Sequence, residues 1–190
     1  MPISRRRLAC LALPVLAASC AASPEPALYT IQMKPGPVLP SGPRVVQLRD
    51  IGLASYLDRR EIVRSSADYK LGVMANDWWG EALGSMLSRV IVLGLSQRLP
   101  TSRIYSEGGA ISGDPNAVLA VNIQRLDLDA SGSLELIAQA AVDFNRPHRS
   151  AARSFQIVKP PPSPTVAGQV AATSDAMAEL TDGLASLLRP

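Results

Sequence analysis

The chain has one histidine, His148, and two cysteines, Cys10 and Cys20, so nucleophilic and metal chemistry have few places to start. His148 stands in a Pro-His-Arg run with nothing beside it that marks a nucleophile elbow, and it reads as a solvated turn residue rather than a general base. Asp127 and Asp129 alternate with Leu126 and Leu128 and so share one strand face. That spacing could pair two carboxylates for acid–base work, but a solvent-facing strand end accounts for them better. Gly108, Gly109 and Gly113 lie in a polar loop with no helix behind it, unlike a phosphate-cradling turn, and no metal-ligand spacing occurs. An enzyme is not expected.

Cys20 carries the most information. Arg5, Arg6 and Arg7 precede an apolar run from Leu8 to Ser19, which closes on the small residues Ala17-Ala18-Ser19. A positive start, a short apolar core and a small-residue cleavage site are the parts of a secretory signal. The run is too short for a spanning helix, which takes about 20 residues, and Pro14 interrupts it. A cysteine at the first mature position resembles the lipobox of bacterial lipoproteins, with Ala17 where leucine is usual. Cys10 lies within the signal and should leave with it. Ser4-Arg5-Arg6-Arg7-Leu8 also looks like a twin-arginine signal, so either export route is open. The lipobox resemblance implies a covalent lipid on Cys20 and no other cofactor. Several acyl chains on one residue make a lasting membrane anchor, whereas a single chain binds only marginally. By the same resemblance, Ala21 in place of aspartate implies the outer membrane of a two-membrane bacterium, with the domain facing the periplasm.

Removing residues 1–19 leaves 171 residues, enough for one domain with a sizeable core. The signal holds three of the 19 basic residues and none of the 16 acidic ones, so the mature chain is formally neutral. No arginine cluster with interleaved aromatics remains after processing, and nucleic acid is not an expected partner. Only Cys20 survives cleavage, so no disulfide can form and the domain must hold itself together by packing.

The mature chain divides into a lipidated tether at 20–27 and a single domain at 28–190. Leu28–Met33 is an expected first strand, followed by a connector with Pro35, Pro37, Pro40 and Pro43. Val45–Leu48 is the next strand, and Glu61–Arg64 and Tyr69–Val73 form a hairpin. Asn76 or Asp77 should cap a helix that begins at Trp78, has Glu81 in its first turn and stops before Pro100. Trp79, Leu83, Met86, Val90 and Leu93 make its apolar stripe. Leu119, Val121 and Ile123 alternate, then the phase slips to Leu126 and Leu128, which predicts a bulge near Gln124-Arg125. Strands through Leu134–Phe144 and Arg153–Ile157 complete an antiparallel meander. Ser163 is a possible cap for a last helix whose stripe is Val166, Val170, Met177, Leu180, Leu184 and Leu187. The expected fold is α+β, a largely antiparallel sheet with both helices on one face.

The pattern of Leu28-Tyr29-Thr30-Ile31 after Cys20, Ser55-Tyr56-Leu57-Asp58-Arg59-Arg60-Glu61-Ile62-Val63, and Trp78-Trp79-Gly80-Glu81-Ala82-Leu83 resembles the ABC-type transport auxiliary lipoproteins of the PqiC/YmbA-like kind. The resemblance covers nearly all of the mature chain, with Gly80 where alanine is more usual. It implies a non-catalytic partner of an MCE-domain protein in an envelope lipid transport system, and it leaves a homo-oligomer open. Tyr56, Asp58, Arg59 and Trp78 are the expected partner contacts; Trp79, and Trp78 in the competing reading, would be core, and Asp58-Arg59-Arg60 an ion-paired loop. The alternative function is a periplasmic carrier that shields an acyl chain between sheet and helices, which would need an open apolar cavity there.

Overall fold

The computed structural model describes residues 25–111 and 113–189; Cys10, Cys20 and the rest of 1–24 lie outside the described residues. In chain order the elements are β1 (Ala27–Tyr29), β2 (Val45–Leu48), β3 (Gly52–Leu53), β4 (Glu61–Ser65), β5 (Gly72–Trp79), α1 (Leu83–Arg98), β6 (Arg103–Ser106), β7 (Ala117–Leu128), β8 (Leu134–Asn145), β9 (His148–Lys159) and α2 (Val166–Leu187). All nine strands join one sheet. The fold is α+β.

β7 is its spine. One edge pairs antiparallel with β8 along its full length, and β8 pairs with β9 in the same way. The other edge is shared by three short parallel strands in succession: β2 at Val46–Leu48, β3 at Gly52–Leu53 and β4 at Ser65. β6 extends the sheet beyond β2, and the β4–β5 hairpin extends it to β1. The sheet is thus antiparallel along its long strands and parallel where the short ones attach. The expected bulge is present, as a register shift between Ile123 and Arg125.

One face of the sheet and both helices enclose the core. Leu119, Ile123, Leu134, Leu136, Ala138 and Val142 meet Met86, Leu87, Ile91, Leu95, Met177, Leu180 and Leu184, each with no measurable exposure. Side chains from both layers fill this interface, which does not favour an acyl-chain carrier. α1 and α2 touch at Gly94, where a Cβ would come within 2.9 Å of Thr181 Cγ2. Arg98 is buried between them at 1% exposure. Its guanidinium donates to Asp182 Oδ1 at 2.5 Å and to the carbonyls of Lys34, Gly94 and Ala178 at 3.3, 3.1 and 3.1 Å. It therefore ties the proline-rich connector to both helices.

Several local expectations are corrected by long-range pairing. The first strand ends at Tyr29, short of Met33. Asn76, Asp77, Trp78 and Trp79 belong to β5, because β1 and β4 supply partners: Leu28 pairs with Trp78, Tyr29 with Trp79, and Glu61 with Trp78. α1 starts at Leu83 with Ala82 before it and no side-chain cap, so Glu81 and Gly80 precede the helix. Gly80 N–H donates instead to Tyr29 O at 2.8 Å. The buried stripe of α1 runs through Leu83, Met86, Leu87, Val90, Ile91, Leu95 and Arg98, while Leu93 is 48% exposed. α2 is capped by Thr165, whose Oγ1 accepts from Gly168 N–H at 3.1 Å; Ser163 bonds to Thr165 instead of capping. No helix among the described residues is long and apolar enough to cross a membrane.

Candidate functional site

The sheet face turned away from the helices carries polar residues in two groups. The first gathers around Asp127, whose side chain has no exposure. The bulge at Gln124 puts Arg125 and Asp127 on this face, while Leu126 and Leu128 point into the core. Asp127 Oδ2 accepts from Tyr56 Oη and from Ser66 Oγ, both at 2.8 Å, and Oδ1 accepts from Arg125 Nε at 3.0 Å. Arg125 also pairs with Glu135 on β8, and Glu135 Oε1 accepts from Gln156 Nε2 on β9 at 2.8 Å. Asp127 is therefore a buried structural anion, contrary to the solvent-facing strand end expected for it. Three donors satisfy a carboxylate that burial would otherwise penalise. Asp129 does reach solvent: it accepts from Ser131 Oγ and from the N–H groups of Ser131 and Ser133, which close the turn before β8. Those bonds, the Ser131 hydroxyl first, hold its pKa below the usual carboxylate value. His148 opens β9 opposite Asn145 and is exposed.

Tyr56 faces inward. Burial first, and then its bond to Asp127, push its hydroxyl far above the usual phenol range. The bond pins the segment between β3 and β4 across β7, so that Leu57 is buried while Asp58, Arg59 and Arg60 are exposed. Neither Asp58 nor Arg59 forms an ion pair among the described residues. Arg60 lies over the Trp78 ring, 4.8 Å from its centroid, and Trp78 Nε1 donates to Ala75 O at 3.0 Å. Leu28, the register partner of Trp78, is 65% exposed. Trp79 is core, at 8%. Of the four expected contacts, Asp58, Arg59 and Trp78 thus reach the surface; Tyr56 holds the segment that carries the first two, and β1 and β4 place Trp78. Arg60 and Leu28 join them through strand register, which short-range spacing does not reveal.

The second group lines an open groove of about 740 Å³ across the middle of the same face. Its floor is Ala120, Asn122, Gln139, Ala141 and Ser154, and its rim carries Arg49, Asp50 and Glu107. Small floor residues and charges of both signs suit contact with another polar surface better than burial of a hydrocarbon chain.

The family of ABC-type transport auxiliary lipoprotein components matches residues 29–185. The chain belongs to that family. The match runs from the last residue of β1 almost to the end of α2, so it takes in both polar groups. Among solved structures, the lipoprotein is similar to one described as an uncharacterized protein, at 15% identity and a TM-score of 0.71, covering 86% of this chain and 98% of that one. It is also similar to protein XCC0632 from Xanthomonas campestris, of the DUF330 family, at 18% identity and a TM-score of 0.69, covering 85% and 95%. At these identities the likeness speaks for a shared fold. No curated protein matches the sequence. As an auxiliary lipoprotein, the chain belongs with components that assist ABC-type transport, and a transporter partner follows from that membership.

Proposed function

We propose that the protein is a non-catalytic lipoprotein, anchored through Cys20 in the outer membrane, that docks an MCE-type ABC lipid transport system from the periplasmic side. The observation that carries this reading is the family match over the whole folded body, 29–185. The surface around Asp58, Arg59, Arg60 and Trp78 supports it. An aromatic ring and an arginine held together on a fixed backbone are residue types that dominate protein interfaces. Asp127 contributes by fixing that backbone through Tyr56.

The test is a photo-cross-linking amino acid at Arg59 of the full-length lipoprotein in native membranes, with mass spectrometry of the product. Capture of an MCE-domain protein supports docking. Recovery of a lipid-loaded, partner-free monomer overturns it. Labelling with a fatty-acid probe checks the anchor separately: Cys20→Ser should abolish incorporation and release the protein from the envelope.

A further inference from the structure

A second cleft, of about 470 Å³, opens at the end of the molecule where β7 begins, β8 ends and β9 starts. Arg44, Arg146 and Arg149 line it together with the apolar surfaces of Pro43, Phe144 and Pro147, and no acidic residue lines it. All three arginines are exposed. None of them forms an ion pair among the described residues. Arg149 lies over the Phe144 ring at 4.0 Å and donates once, to Arg189 O at 3.2 Å. Its remaining guanidinium N–H groups, with those of Arg44 and Arg146, have no side-chain partner among the described residues.

A formally neutral mature chain has therefore gathered like charges around one apolar hollow. Such an arrangement costs Coulombic energy until an anion neutralises it. Guanidinium forks match the oxygens of phosphate in shape as well as charge. The prolines and the Phe144 ring make the floor unsuited to a fully hydrated ion such as free phosphate, and suited to a ligand that is apolar directly next to its charge. We infer that this cleft binds the phosphate-bearing head group of an anionic phospholipid, with the arginines on the phosphate and the glycerol end of the acyl chains against Phe144 and the prolines.

β1 runs antiparallel to β7: Ala27 is level with Asp77, Trp78 with Glu61, and Ser65 with Leu128. The chain therefore enters beside the last third of β7, whereas the cleft lies at its first residue. At about 3.4 Å per residue the two are roughly 25–30 Å apart along the strand. The cleft therefore lies away from the point where the described chain begins. The inference does not depend on which transport system the lipoprotein serves, and its failure would leave the docking surface around Trp78 untouched.

The experiment titrates the full-length lipoprotein, in non-ionic detergent micelles, with dihexanoyl phosphatidylglycerol, dihexanoyl phosphatidylcholine, glycerol 3-phosphate and inorganic phosphate, by calorimetry. Phosphatidylglycerol should bind about tenfold or more tightly than the other three, and Arg146→Gln/Arg149→Gln should weaken it by at least that factor. Because Arg149 stacks on Phe144, Arg44→Gln/Arg146→Gln serves as the second variant and should give the same loss with an unchanged melting temperature. Equal heats for the two lipids, or binding that survives both variants, would mean partition into micelles and overturn the site. Inorganic phosphate binding as tightly as phosphatidylglycerol would overturn the lipid ligand.

Discussion

Asp127 shows how one buried carboxylate can hold a surface in shape. Its three donors come from three places in the chain: Tyr56, Ser66 and Arg125. Removing it leaves Arg125, only 25% exposed, with Glu135 alone, takes the acceptor from the Tyr56 and Ser66 hydroxyls, and releases the segment that presents Asp58 and Arg59. Asp127→Ala should therefore cost on the order of 3–5 kcal/mol, read by chemical denaturation, and should also weaken partner cross-linking at Arg59. The same site predicts an alkaline response. The Tyr56 phenol is raised above its ordinary value of 10.0 by burial and then by Asp127, and Tyr29 is raised by its bond to Asp77. A group raised on folding stabilises fully below its unfolded pKa, and the contribution drains as pH climbs past it. The melting temperature should hold up to about pH 10 and then fall, and Tyr56→Phe should fall less steeply above pH 10. The bulge that turns Asp127 to this face was legible from the phase slip at Gln124-Arg125. Its burial was not, because the covering residues lie about 60 and 70 positions away in sequence.

The strands and helices were legible where their own periodicity decides them, and illegible where a distant partner does. β8 alternates over its whole length, and every residue from Leu134 to Phe144 at even positions is buried. Asn76-Asp77-Trp78-Trp79 looks like a helix start because Asn and Asp are good caps, yet β1 and β4 offer backbone partners that outweigh the local preference. Arg60 O accepts from Trp79 N–H at 2.8 Å, which leaves those residues extended. Contact between α2 and β9 depends on a different kind of residue. A Cβ at Gly183 would stand 2.3 Å from Phe155 Cε1. Gly183→Ala gains helix propensity but forces the ring aside, and overpacking of this kind costs roughly 1–3 kcal/mol. A fall in melting temperature, relieved in part by adding Phe155→Leu, is the expected result; an increase would mean that the ring moves freely.

Over the whole molecule, two parts of the chain with little regular structure are held by single side chains. Arg98 holds the connector at Lys34 and both helices at Gly94, Ala178 and Asp182. Nothing local marks it, since a basic residue in a last helical turn is ordinary at the surface. Arg98→Met removes the donor from three carbonyls and from Asp182, which is itself 39% exposed, and should lower stability by about 1–3 kcal/mol. Limited proteolysis should then cut the variant between residues 33 and 44 before it cuts anywhere else in the domain. The order of assembly follows from β7. β2, β3 and β4 all attach to one strand that the ribosome supplies only from Ala117 onward, and the earlier pairings, β1 and β4 on β5 and β2 on β6, remain two separate fragments until it arrives. A growing polypeptide thus stays threadable for more than half its length, a useful property in a product whose opening residues look like an export address.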